Sequence, residues 1–322
     1  MKVSILIAIY NAEKYLRECL DSLLRQTHTD WEAVCVDDCS TDSSPDIVRQ
    51  YVEGDSRFKL IQHTVNQGQA KARNTGIGIC DGDLVCFLDS DDYFLPSTLS
   101  ECVSVFESHD DADCVLMRCV KFYENGEKEE LRAEADFPIK GGKAFELSLD
   151  WTIHGIYMTR MSIQRQIPYD DTCRSFSDDN TTRLHYLASR GVYMSKGVYM
   201  YRHNNESVSN VISTRRLDFL LANEHMQHLL EDMGAETHLL RLHERVRWLN
   251  LIGCYRLVCA NKDRLSSDDY TQSMVLMKRI WTTIDTSLIS PSTRLKPGYA
   301  TLPTWTLFRL QQWLYLLFKH TR

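Results

Sequence analysis

The chain has 322 residues, 43% hydrophobic and 25% charged, with 37 basic against 44 acidic side chains and a formal net charge of −7. That balance suits a globular protein with apolar mass for one large core or two modest ones, and with no basic run a nucleic-acid partner is not expected. Eleven cysteines without a CxxC pair read as small core residues in a reducing cytoplasm rather than as a zinc or disulfide framework.

Val3–Ile9 is an Ile- and Val-rich run that suits a strand buried on both faces. It is far shorter than the roughly 20 residues of a membrane span, and no signal-peptide cleavage pattern follows it, so a cytoplasmic location is expected. Asn11 reads as an N-cap, and Leu16, Cys19, Leu20, Leu23 and Leu24 then recur at helical spacing. Glu32–Val36 is a second strand running into Asp37-Asp38, and Pro45 opens the next helix. Phe58–Ile61 gives a third strand, Gln69–Cys80 a helix despite Gly76 and Gly78, and Leu84–Leu88 a fourth strand ending at Asp89-Ser90-Asp91-Asp92. Strands separated by helices mean βαβ units and a doubly wound, mostly parallel α/β sheet.

Beyond Pro96 a helix near Ser97–Ser108 and an apolar segment Cys114–Phe122 precede the polar stretch Glu124–Asp136, read as a solvent loop. A short helix begins at Gly141, another runs from Asp178 to Arg190 with Gly191 as its stop, and Val192–Tyr201 is extended. From about Arg215 the pattern is helical, with a boundary near residue 212.

Ligands of open parallel sheets bind beyond the carboxyl ends of the strands. Here those ends carry Tyr10-Asn11, Asp37-Asp38 and Asp89-Ser90-Asp91, an acidic rim that costs repulsion and desolvation unless a cation or donor groups compensate. Asp89-x-Asp91 suits Mg²⁺ or Mn²⁺, which are usually held by one or two carboxylates together with substrate phosphates. No P-loop and no GxGxxG follow the first strand, so a phosphate-rich ligand is to be held by metal and local side chains.

Five blocks resemble, in order, those of the family 2 glycosyltransferases of the GT-A fold: VSILIAIYN (Val3–Asn11), CLDSLLRQT (Cys19–Thr27), VDDCSTD (Val36–Asp42), NQGQAKARNTG (Asn66–Gly76) and FLDSDD (Phe87–Asp92). Ser177-Asp178-Asp179 is similar to the family's Glu-Asp acceptor motif, and Tyr201-Arg202-His203 through Ser207 to its Tyr-Arg strand end. The chain departs from the family at Ala8 (usually Pro), Cys39 (usually Gly) and Asp178 (usually Glu).

The resemblance implies a GT-A glycosyltransferase domain over 1–212, with a nucleotide-sugar-binding half (1–95) and an acceptor half (96–212), then an α-helical region over 213–322. It implies that Ala8, Ile9, Tyr10 and Asp38 line the base and ribose pocket and that Arg73 reaches the donor diphosphate or the carboxylate rim. Asp91 is then a metal ligand, Asp89 lies nearer the ribose while sharing the motif, and Asp179 is the general base beside Asp178. His203 is a candidate third metal ligand, although a lone His at a strand end is more often structural. The implied activity is inverting, metal-dependent transfer from a nucleoside diphosphate sugar, with a UDP-sugar the first candidate, to a saccharide or lipid-linked acceptor in surface polysaccharide synthesis. The alternatives are a sugar-1-phosphate nucleotidyltransferase, which needs a Gly- and Arg-rich loop where Tyr10–Glu13 stands, and an inactive nucleotide-binding or membrane-docking module.

Residues 304–320 are dense in Trp, Leu and Phe; as a helix they place Leu307, Leu310, Trp313, Leu314 and Leu317 on one face, with Arg309, Gln312 and Lys319 as polar positions. That face and the basic end Lys319, His320 and Arg322 suit peripheral contact with the inner face of a membrane. Packing as core, or as an oligomer contact, is the competing reading.

Overall fold

The computed structural model describes residues 1–131, 133–173, 178–203 and 217–319, Lys319 by its backbone only. Ser177, Ser207, the boundary near 212, and the side chains of Lys319, His320 and Arg322 lie outside the described residues. The chain divides into two compact units, 1–205 and 206–322.

The first unit begins β1 (Val3–Ile9), α1 (Leu16–Leu24), β2 (Trp31–Asp37), α2 (Ser44–Gly54), β3 (Phe58–Gln62), α3 (Gln69–Ile77), β4 (Leu84–Phe87), β5 (Tyr93–Phe94) and α4 (Thr98–Ser108). It continues β6 (Ala112–Phe122), β7 (Lys128–Leu131), α5 (Gly141–Ser148), β8 (Tyr157–Arg160), α6 (Met161–Gln166), α7 (Asp178–Ala188) and β9 (Gly191–Arg202). The sheet runs β3-β2-β1-β4-β8-β6-β9-β5, with β7 paired to β6. β1 to β4 are mutually parallel, β8 is antiparallel to both its neighbours, and β6 and β9 are parallel.

Alternation along β1 assigns its two faces. Val3, Ile5, Ile7 and Ile9 pack with Leu16, Leu20, Ile47 and Leu99 on one side; Leu6 packs with Ala72, Met161 and Tyr169 on the other. Helices therefore cover both faces, which is why β2 is buried at every residue. Gly76, which interrupts the helical pattern of α3, is a close approach: a Cβ there would meet Leu6 Cδ2 at 2.9 Å.

Three local expectations are corrected. Within Glu124–Asp136, Lys128–Leu131 forms the exposed strand β7, pairing antiparallel with Cys119–Phe122; a strand without a buried face leaves no apolar alternation to read. Gly191 starts β9 rather than capping α7, which ends at Ala188, and a Cβ there would meet the Asp111 carbonyl at 2.9 Å. Asn11 does not cap α1, which starts at Leu16; its Oδ1 accepts from the Thr41 N–H at 2.8 Å, tying the loop after β1 to the loop after β2.

The second unit comprises α8 (Asp218–Asp232), α9 (Thr237–Ala260), α10 (Ser267–Thr282), the single turn α11 (Pro291–Arg294) and α12 (Trp305–Lys319). Its core joins Leu220 of α8, Trp248, Leu251 and Tyr255 of α9, Met277 and Ile280 of α10, and Phe308 of α12.

Candidate active site

β1, β2 and β4 all end at one edge of the sheet, and the loops beyond them carry the acidic rim. Ala8 is half-buried, Ile9 buried and Tyr10 53% exposed, so only the last of the three presents its full side chain to solvent. Asp38 is buried, and its carboxylate accepts from the N–H groups of Gln67 (2.9 and 3.0 Å) and Gly68 (2.7 Å) while pairing with His63 Nδ1 at 2.7 Å. It thereby fixes the turn that opens α3, and any bond to a base must share oxygens that already hold three donors.

α3 brings Arg73 under the rim. The guanidinium is 2% exposed, lies over the Phe87 ring at 4.1 Å, donates to Asp89 Oδ1 at 2.6 Å and stands 4.0 Å from Asp178 Oδ2. Burial opposes its charge, but Asp89 and, behind it, Tyr169 and Asp178 more than offset this, so its pKa is raised. Arg73 thus joins the donor-side strand end to the start of α7, and of its two expected targets it meets the carboxylate rim.

Asp89 also accepts from Gln69 Nε2 at 3.0 Å, whereas the Asp91 carboxylate is met by its own backbone N–H. Burial, followed by the neighbouring Asp89, raises the Asp91 pKa. A half-buried carboxylate beside a second carboxylate, with burial and its neighbour both working against its charge, fits a hard cation, which relieves both costs.

The third acid of the run, Asp92, behaves differently. It is buried, accepts from Tyr199 Oη and from the Arg202 N–H at 2.7 Å each, and is pushed up to about 8 by burial and by Asp89 and Asp91. Tyr199 Oη in turn accepts from the Asp89 N–H at 3.1 Å, and Arg202 Nε donates to the Asp91 carbonyl at 2.8 Å. β9 therefore clamps the backbone that carries Asp89 and Asp91. Sequence reading missed this clamp, for which the Tyr201-Arg202 block was the one available signal.

His203 does not join the acidic pair. Its N–H donates to the Phe122 carbonyl at 2.9 Å and its ring lies 4.8 Å from that of Tyr123, on the β6 side. Among the described residues no group of three His, Cys, Asp or Glu side chains comes together to hold a metal, so the set Asp89, Asp91 and His203 is not assembled.

Asp178 and Asp179 occupy the first turn of α7, where the helix dipole favours negative charge. Asp179 is nevertheless raised to about 7, first by burial and then by Asp178, with Arg183 pulling the other way. A carboxylate poised near neutrality and joined through Asp178 and Arg73 to the rim beyond β4 has the attributes of a general base.

Comparison with known proteins gives the family and the fold. The family model described as glycosyl transferase family 2 matches residues 4–170, more than half of the chain. The uncharacterized glycosyltransferase YibD of Escherichia coli is 28% identical over 97% of this chain and 93% of its own length. The match to EpsH of Bacillus subtilis is 40% identical but spans 38% of this chain and 35% of that protein. Staphylococcus aureus TarS 1–349, solved with UDP-GlcNAc, superposes with a TM-score of 0.71 at 21% identity, covering 97% of this chain and 88% of that one, and so shares its fold. The chain belongs to family 2 of the glycosyltransferases and has the GT-A architecture.

Proposed function

We propose that the chain transfers a sugar, with inversion, from a nucleoside diphosphate donor to a hydroxyl of a saccharide or lipid-linked acceptor in surface polymer synthesis. The observation that carries this is the ion chain Asp89–Arg73–Asp178 beside Asp179, whose pKa is about 7. Asp179 takes the proton of the acceptor hydroxyl as its oxygen bonds to the anomeric carbon and the bond to the nucleoside diphosphate breaks. One displacement inverts that carbon, and no second nucleophile is needed. Arg73 balances Asp178 and Asp89 so that three carboxylates can share the site.

Asp91, with Asp89, would hold Mn²⁺ or Mg²⁺, which supplies positive charge to the leaving diphosphate when bound. A UDP-sugar is the first donor to test, because TarS was solved with UDP-GlcNAc and with UDP. The acceptor reading also places α12 at a membrane surface.

The test is a panel of nucleotide sugars with Mn²⁺, reading release of free nucleoside diphosphate. Asp91→Ala should abolish turnover; near wild-type activity of that variant in Mn²⁺ overturns the metal assignment. Release of pyrophosphate instead would favour a nucleotidyltransferase.

A further inference from the structure

Arg183 lies one turn beyond Asp179 on α7 and is 1% exposed, yet none of its three guanidinium nitrogens has a hydrogen-bond partner. No described carboxylate comes within ion-pair distance of it, although Asp179 and, less strongly, Asp178 favour its charge from further off, and the Trp151 ring lies 5.2 Å from the guanidinium carbon. Trp151 is 43% exposed and holds a positive φ of 62°. A buried guanidinium that makes no hydrogen bond is among the costlier features a fold can retain.

The segment carrying Trp151 is fastened to the same helix, since Tyr186 Oη donates to the His154 carbonyl at 2.6 Å. His154 is 9% exposed, and its Nδ1 accepts from the Ile156 N–H at 3.3 Å, which leaves the ring proton on Nε2. Nε2 likewise has no partner, and burial holds the imidazole neutral with a pKa of about 4. The unmet atoms of Arg183 and His154 are all donors: the guanidinium N–H groups and one imidazole N–H. A planar guanidinium matches a phosphate in a fork geometry, and this many donors exceeds what the two oxygens of a carboxylate can take.

We propose that Arg183, covered by Trp151 and with His154 as a second donor, is a subsite for a phosphate group carried by the acceptor. The assignment to the acceptor rests on the reading of Asp179 as base. One helical turn, about 5.4 Å along the axis, suits a hydroxyl at Asp179 and a phosphate at Arg183 on the same sugar or polyol unit. The indole covers the buried guanidinium, and its own exposure leaves it room to swing aside so that an anion can reach the N–H edge.

The test titrates the full chain, in metal-free buffer, with glycerol 1-phosphate and with glycerol by calorimetry. The phosphate ester should bind and glycerol should not, and Arg183→Gln should weaken binding about tenfold or more while unfolding at the same or a higher temperature. Trp151→Ala should tighten binding several-fold, by removing a competing cation–π contact. Unchanged binding by Arg183→Gln, or no binding by the wild type, overturns the proposal; should Arg183→Gln fail to fold, unchanged binding by Trp151→Ala overturns it. A separate titration of the wild type with UDP and Mn²⁺ separates the two readings: nucleotide binding without phosphate binding sinks the subsite alone, and loss of nucleotide binding strikes the proposed function. Recruitment of wild type but not Arg183→Gln to phosphatidate vesicles would assign a lipid phosphate, and glycerol phosphate binding without recruitment a soluble or polymeric one.

Discussion

As the proposed base, Asp179 has to meet two demands that usually conflict: enough burial to hold a proton near neutrality and enough access to reach a substrate hydroxyl. With its pKa near 7, kcat/KM should rise with pH through a midpoint near 7, because the base works only when ionised. Asp179→Asn, nearly isosteric, should lower kcat by about 10²–10⁴-fold and leave donor affinity almost unchanged. A silent Asp179→Asn with a damaging Asp178→Asn would move the base by one residue. The same shift predicts stability with a definite sign. The unfolded chain releases this proton near pH 4 and the folded chain keeps it to about 7, so ionising Asp179 disfavours the fold. The wild type should therefore lose Tm relative to Asp179→Asn as pH rises between those values, with a constant gap above them. Asp89, Asp91, Arg73 and Asp179 could be nominated from the sequence because strand ends and family blocks mark them. Tyr199 and Arg202 were not, since their partners stand about 110 residues away, and no local pattern encodes which strand closes over which loop.

At the scale of elements, the loops after β1 and β2 are built together. Asn11 holds φ 51° and Cys39 φ 65°, and Ser40 Oγ accepts from the Asn11 N–H at 3.0 Å. Cys39 is one of the positions where the family usually has glycine, and the left-handed backbone supplies the reason: a Cβ is disfavoured there. Cys39→Gly should raise stability by about 0.5–1 kcal/mol, the relief of left-handed strain less the entropy a glycine adds to the unfolded chain; a denaturation midpoint at or below wild type would refute this. The thiol's contact with the Thr64 carbonyl, at 3.6 Å, is a weak one to lose. The buried parallel strands were visible as apolar runs, whereas β8 was not. Its four residues, Tyr157–Arg160, gain their place by pairing with β4 and β6 rather than by pattern, an instance of tertiary context overriding propensity.

Across the whole molecule, the helical second unit shows most plainly what periodicity leaves undecided. The amphipathic reading of residues 304–320 was right about helix and about one apolar face, but Gln312, expected among the polar positions, is buried. It accepts from Arg256 Nε at 2.8 Å and donates to the Gly298 carbonyl at 2.9 Å. Phe308 is likewise buried, against Trp248 and Tyr255. α12 therefore docks through Phe308 and Gln312 and turns Leu307, Leu310, Trp313 and Leu314 outward, each between 40% and 56% exposed. No described helix is long and apolar enough to cross a membrane; the proposed membrane contact is one of this outer face with the boundary of a bilayer. Deleting α12 would strip Phe308 from the core of its unit, and the informative variants are on the outer face. Leu310→Glu with Trp313→Glu should leave the thermal midpoint within about 1 kcal/mol of wild type, as surface changes do, and abolish flotation with anionic liposomes. Equal flotation of wild type and variant, or none by either, would remove the membrane from the account. A shift in sedimentation confined to the wild type would instead show that the face pairs with a second copy of the chain.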